Sequence, residues 1–184
     1  MDWDVFKSLI GKLERDCEFK FCMIISVGVF TGLRISDLLK LRYSQFEGTD
    51  ILTIEEQKTK KIRRIKINQD LRTIVERLKG KIGVTDPDQY IFLNRYGTKP
   101  IDKSYVNVKL KEILKRYNIV LEGNASSHLF RKTLGNRVLR LNNYSNEAVI
   151  LLMECFSHSS PMTTRRYLGI REKEIMDVYD SLKL

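Results

Sequence analysis

Thr31-Gly32-Leu33-Arg34-Ile35-Ser36-Asp37-Leu38-Leu39-Lys40-Leu41 is the passage on which the fold turns. Residues 18–31, which lead into it, are apolar nearly all round, a pattern that belongs to a central, buried helix. Gly32 is the natural stop for that helix. Residues 35–41 then read as a short helix with Leu38, Leu39 and Leu41 facing inward. Arg34 sits between the two. A guanidinium fixed at the junction of a buried helix and an amphipathic one cannot swing freely into water. It admits two readings, an ion pair with Asp37 three residues on and an anion clamp held rigid by the core.

Working outward, residues 2–15 carry Trp3, Phe6, Ile10 and Leu13 on one stripe, which predicts a helix. Beyond the opening passage the period changes. Ile51 to Ile54 is a β-rich run, and Ile62, Ile65 and Ile67 form another. The polar stretch Glu55 to Lys61 between them suits a hairpin turn. Tyr90 to Leu93, after the turn signal Asp86-Pro87-Asp88, predicts a short third strand. Helical spacing resumes over 69–80, 103–117, 128–141, 146–156, 161–168 and 171–182. In the last of these Ile175, Val178, Tyr179 and Leu182 make an apolar stripe. No repeat or linker divides the chain. The expectation is one mainly α (α+β) domain over residues 1–184, compact and helical, with one small antiparallel sheet of about three strands.

The length of 184 residues suffices for a real core, and the 42% apolar content fits a globular chain. A formal charge of +10 suggests a polyanionic partner, without separating DNA from RNA or an anionic membrane. The three cysteines, Cys17, Cys22 and Cys155, are odd in number and form no C-x-x-C pair, which excludes a disulfide framework and a zinc knuckle. Cys22 and Cys155 lie in apolar runs and are expected in the core. The apolar stretch from Phe21 to Leu33 is too short to span a bilayer, and the N-terminus lacks a positively charged leader, so a cytoplasmic, nucleoid-associated protein is expected. Asp86 and Asp88 flank a proline with no His or Glu nearby, and no metal is expected there.

The chain's two histidines stand in informative places. His128 and Arg131, three apart on a helix, share a face. His158 lies in Phe156-Ser157-His158-Ser159-Ser160-Pro161, where Ser159 or Ser160 can cap the next helix and Pro161 suits its first turn. Tyr167 follows nine residues later, at the end of that helix. Taken singly each is weak: H-x-x-R arises by chance, and such a His or Tyr is usually surface or packing.

Together and in order, T-G-L-R, a basic hairpin, H-x-x-R and H-S-S followed by Tyr resemble the catalytic domain of the tyrosine recombinases, the phage integrase family. The resemblance covers essentially the whole chain. It implies that Arg34 and Arg131 bind the non-bridging oxygens of a scissile phosphate and that Tyr167 is the nucleophile. By the same resemblance His128 is the base, His158 the third-position residue, and Lys58 the general acid, with Lys60 a weaker choice in the same turn. Such chemistry suits these residue types. Guanidiniums stabilise charge on the equatorial oxygens, a phenol needs its proton removed, and the 5′ oxygen leaves well only if protonated. The 3′-phosphotyrosine conserves the bond energy, so neither metal nor ATP is needed and no cofactor is expected.

Two positions depart from the family pattern. Phe156-Ser157-His158 stands where Leu-Gly-His is usual, and Lys132-Thr133 follows H-x-x-R in place of His-Thr. Double-stranded DNA is the expected partner. Its backbone would be met by Lys60, Lys61, Arg63 and Arg64 of the hairpin, with Lys132, Arg165 and Arg166 nearer the nucleophile; the alternative for these is a solvated edge. The family's N-terminal DNA-clasping domain has no counterpart in the sequence, which fits either an excised fragment or a small recombinase. A monomer when free and a homo-tetramer on DNA are implied, with accessory DNA-bending proteins as further partners. The final helix then either docks on a neighbouring protomer or packs on its own domain. Two rival functions stay open: a catalytically inactive DNA-binding regulator of the same fold, and a type IB topoisomerase.

Overall fold

The computed structural model describes residues 1–121 and 123–182, the side chains of 171–173 apart. Helix α1, Trp3–Arg15, starts at Asp2, whose carboxylate accepts a hydrogen bond from the Asp4 amide at 2.9 Å. Helix α2, Phe19–Thr31, is buried along almost its whole length and ends at Gly32, which takes the left-handed conformation at φ 59°. Helix α3, Ile35–Leu38, is shorter than the sequence predicts, although Leu38, Leu39 and Leu41 all reach the core. A single 3-10 turn, Tyr43–Phe46, leads into the sheet.

Strands β1, Ile51–Glu55, and β2, Ile62–Lys66, pair antiparallel with Leu52 opposite Ile65 and Thr53 opposite Arg64. The expected third strand is a correction. Among the described residues the sheet has two strands, and Tyr90 and Leu93 form only isolated bridges, to Arg42 and Pro100. Tyr90 stacks instead under the Arg42 guanidinium, 4.0 Å from the ring centroid. A run this short, pinned by a bridge at each end to different segments, has no neighbour along which to propagate a ladder.

Helices α4, Gln69–Ile82, and α5, Lys103–Arg116, follow; each is capped, by Asn68 and Asp102. Helices α6, His128–Leu141, α7, Asn146–Cys155, α8, Pro161–Leu168, and α9, Ile170–Ser181, complete the chain. One cluster of buried side chains gathers α1 to α5 and the start of α6; a second, smaller one joins the end of α6 to α7, with α8 packed on it. Cys22 is fully buried as expected, but Cys155, at the outer end of α7, is exposed. No helix of the described residues is long and apolar enough to cross a membrane.

The junction of α2 with α6 fixes the site. A Cβ on Gly28 would lie 2.5 Å from the buried Phe130 ring, so the two helices approach only because Gly28 has none. On α1, Gly11 has open space around its missing Cβ. The same substitution should therefore act in opposite directions. Gly11→Ala should stabilise the fold by about 0.5–1 kcal/mol through helix propensity. Gly28→Ala should destabilise it by about 1–3 kcal/mol through overpacking. Urea unfolding of the two variants measures both, and a stable Gly28→Ala protein would show that the close contact between the helices is dispensable.

Candidate active site

The site is built around the end of α7. The helix stops in a left-handed turn: Ser157, at φ 49°, donates its amide to Glu154 O, and the His158 amide donates to Met153 O at 3.0 Å. This is the position where Gly is favoured, and serine there costs roughly 1 kcal/mol. The turn leaves the Phe156 carbonyl free to accept from outside the helix. It accepts twice, from Arg131 Nη2 at 2.8 Å and from Arg34 Nη2 at 3.2 Å. Arg34 Nη2 also reaches Ser157 O at 3.4 Å. Two arginines 97 positions apart in the chain thus meet at one oxygen.

Arg131 is 5% exposed, its guanidinium 4.5 Å from the Phe156 ring centroid. Burial, together with the charges of Arg34 and Arg63, holds its pKa down at about 10, so it stays cationic at neutral pH. Arg34 ion-pairs with Glu56, Nη1 to Oε2 2.7 Å, and not with Asp37 as one sequence reading had it. Asp37 accepts instead from the Gln57 amide at 3.0 Å. The Arg34–Glu56 contact is close in distance but lacks the alignment of a hydrogen bond, and Arg131 Nη1 likewise has no aligned acceptor. Glu56 still neutralises Arg34 across that contact, which leaves Arg131 Nη1 as a buried donor with neither an aligned acceptor nor an ion pair among the described residues, a costly arrangement.

Glu56 has no exposed surface. Burial drives its pKa up, but the hydrogen bond from Thr59 at 2.5 Å and the Arg34 charge outweigh that and leave it below the usual carboxylate value. Arg63 corrects an expectation. Read as part of the outward basic edge, it turns inward to Glu56 at 3.4 Å and to the Thr31 carbonyl at 3.3 Å. Arg165 is likewise held within the chain, by Glu174 at 2.9 Å and Asn146 at 3.2 Å.

Tyr167 stands on α8 beside this cluster. Its hydroxyl donates to His128 O at 3.2 Å and lies 3.3 Å from His128 Nδ1. Its ring packs on His158 at 5.2 Å and on Phe156 at 5.8 Å between centroids. Burial raises the phenol pKa, and Arg131 and Arg34 oppose that rise. α8 reaches this place through its own start, where Ser160 accepts from the Thr163 amide at 3.2 Å with Pro161 in the first turn. Gly135 of α6 also makes room, since a Cβ there would meet Leu168 at 2.5 Å. His158 Nδ1 lies 3.1 Å from Thr164 Oγ1, a hydroxyl buried at the base of α8.

Of the sequence-predicted residues, Arg34, Arg131, His128, His158 and Tyr167 converge. Lys58 sits exposed in the 56–61 turn, outside this cluster and without an ion pair among the described residues. Lys61, Arg64, Lys132 and Arg166 are exposed, and Lys60 reaches only the edge of an ion pair, 4.0 Å from Glu55. Sequence reading missed Glu56 and the Phe156 carbonyl. A glutamate within a polar turn gives no sign of burial, and a backbone carbonyl has no sequence signature.

The arrangement brings two guanidiniums, an imidazole and a phenol together around the turn that ends α7. The chain belongs to the phage integrase family, whose model matches residues 1–174. It is 29% identical over 177 residues to the probable integrase/recombinase YoeC of Bacillus subtilis (strain 168), covering 96% of this chain and 89% of that one. A tyrosine recombinase of Thermosipho africanus (strain TCF52B) is also 29% identical, over 97% of this chain and 60% of its own length. Among solved structures, XerA recombinase superposes with a TM-score of 0.71 at 20% identity, over 100% of this chain and 65% of that one. XerH bound to a palindromic difH substrate gives 0.69 at 17% identity, over 98% of this chain and 52% of that one. The chain therefore spans most of the Bacillus relative but only half to two thirds of the others.

His158 makes the site sensitive to acid. Burial and the charges of Arg131 and Arg34 press its pKa from 6.5 to about 4. A histidine kept neutral in the fold but free to protonate when unfolded favours the unfolded state as pH falls. Stability should therefore decline between pH 6.5 and about 4, and His158→Gln should decline less over the same interval. Thermal melts across that range test it; parallel curves for the two proteins would contradict the assignment.

Proposed function

We propose that this chain is a site-specific DNA recombinase that cuts and rejoins duplex DNA through a 3′-phosphotyrosine on Tyr167. The observation that carries the reading is the meeting of Arg34 and Arg131 at the Phe156 carbonyl, with the Tyr167 hydroxyl held beside His128. A scissile phosphate would take the two guanidiniums through its non-bridging oxygens, which accept charge as the nucleophile closes in. The phenol, with its pKa raised by burial, is un-ionised at neutral pH and needs a base. His128 meets that need. Burial and the charges of Lys103, Arg131 and Lys132 lower its pKa, so it is neutral there, and Nδ1 accepts a proton when Nε2 carries the ring hydrogen. Lys58 protonates the leaving 5′ oxygen, and Lys60, Lys61, Arg64, Lys132 and Arg166 follow the duplex backbone. The guanidiniums carry the charge that a metal would otherwise neutralise, and the phosphotyrosine bond returns its energy on religation. The chemistry therefore asks for neither metal nor nucleotide.

Incubation with a nicked duplex bearing the chain's target site, followed by denaturation, should trap a covalent protein–DNA adduct. Tyr167→Phe should abolish it, and Arg131→Ala should slow its formation by about 100-fold or more. No adduct under any condition would mark a DNA-binding regulator, and relaxation of plasmid lacking the site would mark a type IB topoisomerase.

Assembly forms a second part of the proposal. Ile175, Val178 and Tyr179 of α9 and Leu182 at its C-cap are 44%, 60%, 66% and 75% exposed, so the stripe stays largely uncovered, although Ile175 and Val178 share an open cavity with Met162 and Arg165 of α8. An apolar helix face left in water favours docking on a neighbouring protomer at synapsis. Deleting residues 170–184 should reduce self-association on a DNA site in sedimentation velocity, and an unchanged distribution would count against it.

A further inference from the structure

The Lys58 turn is tied to the arginine cluster by one residue. Glu56 closes the turn with its backbone, donating to Lys61 O at 3.0 Å and accepting from the Lys60 amide at 2.9 Å. Its carboxylate meanwhile takes Thr59 Oγ1 at 2.5 Å, Arg34 Nη1 at 2.7 Å and Arg63 Nη1 at 3.4 Å. The next residue docks the turn onto α3 beside Arg34. The Gln57 amide donates to Asp37 Oδ1 at 3.0 Å, and Gln57 Nε2 donates to Ser36 O at 2.6 Å. Lys58 is thus exposed, with no ion pair among the described residues, but both its neighbours are anchored.

A plain charge-balancing role explains the arginine contacts of Glu56. It does not explain Thr59, whose hydroxyl carries no charge, or the docking of Gln57. Burying an ionic cluster gains little stability over an apolar one; what it secures is a defined geometry. We infer that Glu56 is a positioning residue for DNA cleavage: by gripping Arg34 and Thr59 together, it sets the Lys58 turn at a fixed reach from the phosphate clamp. The inference rests on the phosphotyrosine reading above. In that step the Tyr167 Oη–phosphorus bond forms and the phosphorus–O5′ bond breaks. His128 takes the phenol proton, and the departing 5′ oxygen takes one from Lys58 Nζ. A turn set loose at Thr59 would fail in the last of these transfers.

The test compares single-turnover cleavage of two suicide duplexes, one ordinary and one with sulfur replacing the bridging 5′ oxygen. A thiolate leaves without being protonated, so it bypasses any defect in the general acid. Thr59→Ala and Glu56→Gln should each cleave the ordinary duplex at least about 10-fold more slowly than wild type. Sulfur should restore most of that loss, as it should for Lys58→Ala. Thr59→Ala removes no charge, so it carries the test if Glu56→Gln folds poorly. Hydrogen exchange at the amides of residues 56–61 should quicken in both variants. Wild-type rates in Thr59→Ala on the ordinary duplex, or an equal slowing on both duplexes, would overturn the inference. Absence of any adduct from wild type would instead defeat the phosphotyrosine reading on which it stands.

Discussion

A single backbone carbonyl organises this protein. Phe156 O accepts from Arg131 and Arg34 together, and it can do so only because α7 ends there in a left-handed turn that removes the carbonyl from the helix's own hydrogen bonding. The Phe156 side chain, fully buried, packs under the Arg131 guanidinium and beside Tyr167. One residue therefore aligns both cations with its main chain and supports the Tyr167 side chain with its ring. Two like charges brought this close repel, and the carbonyl dipole between them is part of what makes the approach tolerable.

The rest of that tolerance comes from Glu56. Three guanidiniums, those of Arg34, Arg63 and Arg131, stand around one buried carboxylate, leaving a net charge of two positive. A partly buried cationic excess is unfavourable by itself, and an anion bound beside it would relieve the repulsion. Burial first, and after it nearby cations that include Arg131, lower the pKa of both His158 and His128, which keeps both imidazoles neutral at neutral pH and so able to accept hydrogen bonds.

Close helix approach carries this arrangement to Tyr167. Gly28 lets α2, and thus Arg34 at its end, come near α6, which carries His128 and Arg131; Gly135 lets α8, which carries Tyr167, come near the same helix. α6 is accordingly the common reference for every converging group. The basic hairpin is joined to this frame at its turn, through Glu56 and Gln57, and leaves the Lys58 side chain exposed.

Much of this was legible before any coordinates. The apolar run of α2, the stop at Gly32, a serine cap at 159 or 160 with Pro161 in the first turn of α8, and the i, i+3 pairing of His128 with Arg131 follow from local periodicity and backbone preference, which neighbouring residues alone impose. The order of Arg34, His128, Arg131, His158 and Tyr167 along the chain carried the resemblance to a family. What local sequence could not determine was partnership across the chain. Arg34 chose Glu56 over nearby Asp37, Arg63 turned inward from a strand that reads as solvent edge, Cys155 faced out, and Tyr90 stacked on Arg42 instead of joining the sheet. The two arginine partnerships are set by which distant carboxylate fills a desolvated space. Burial and charge pairing act through space, and only the folded chain says which groups share it.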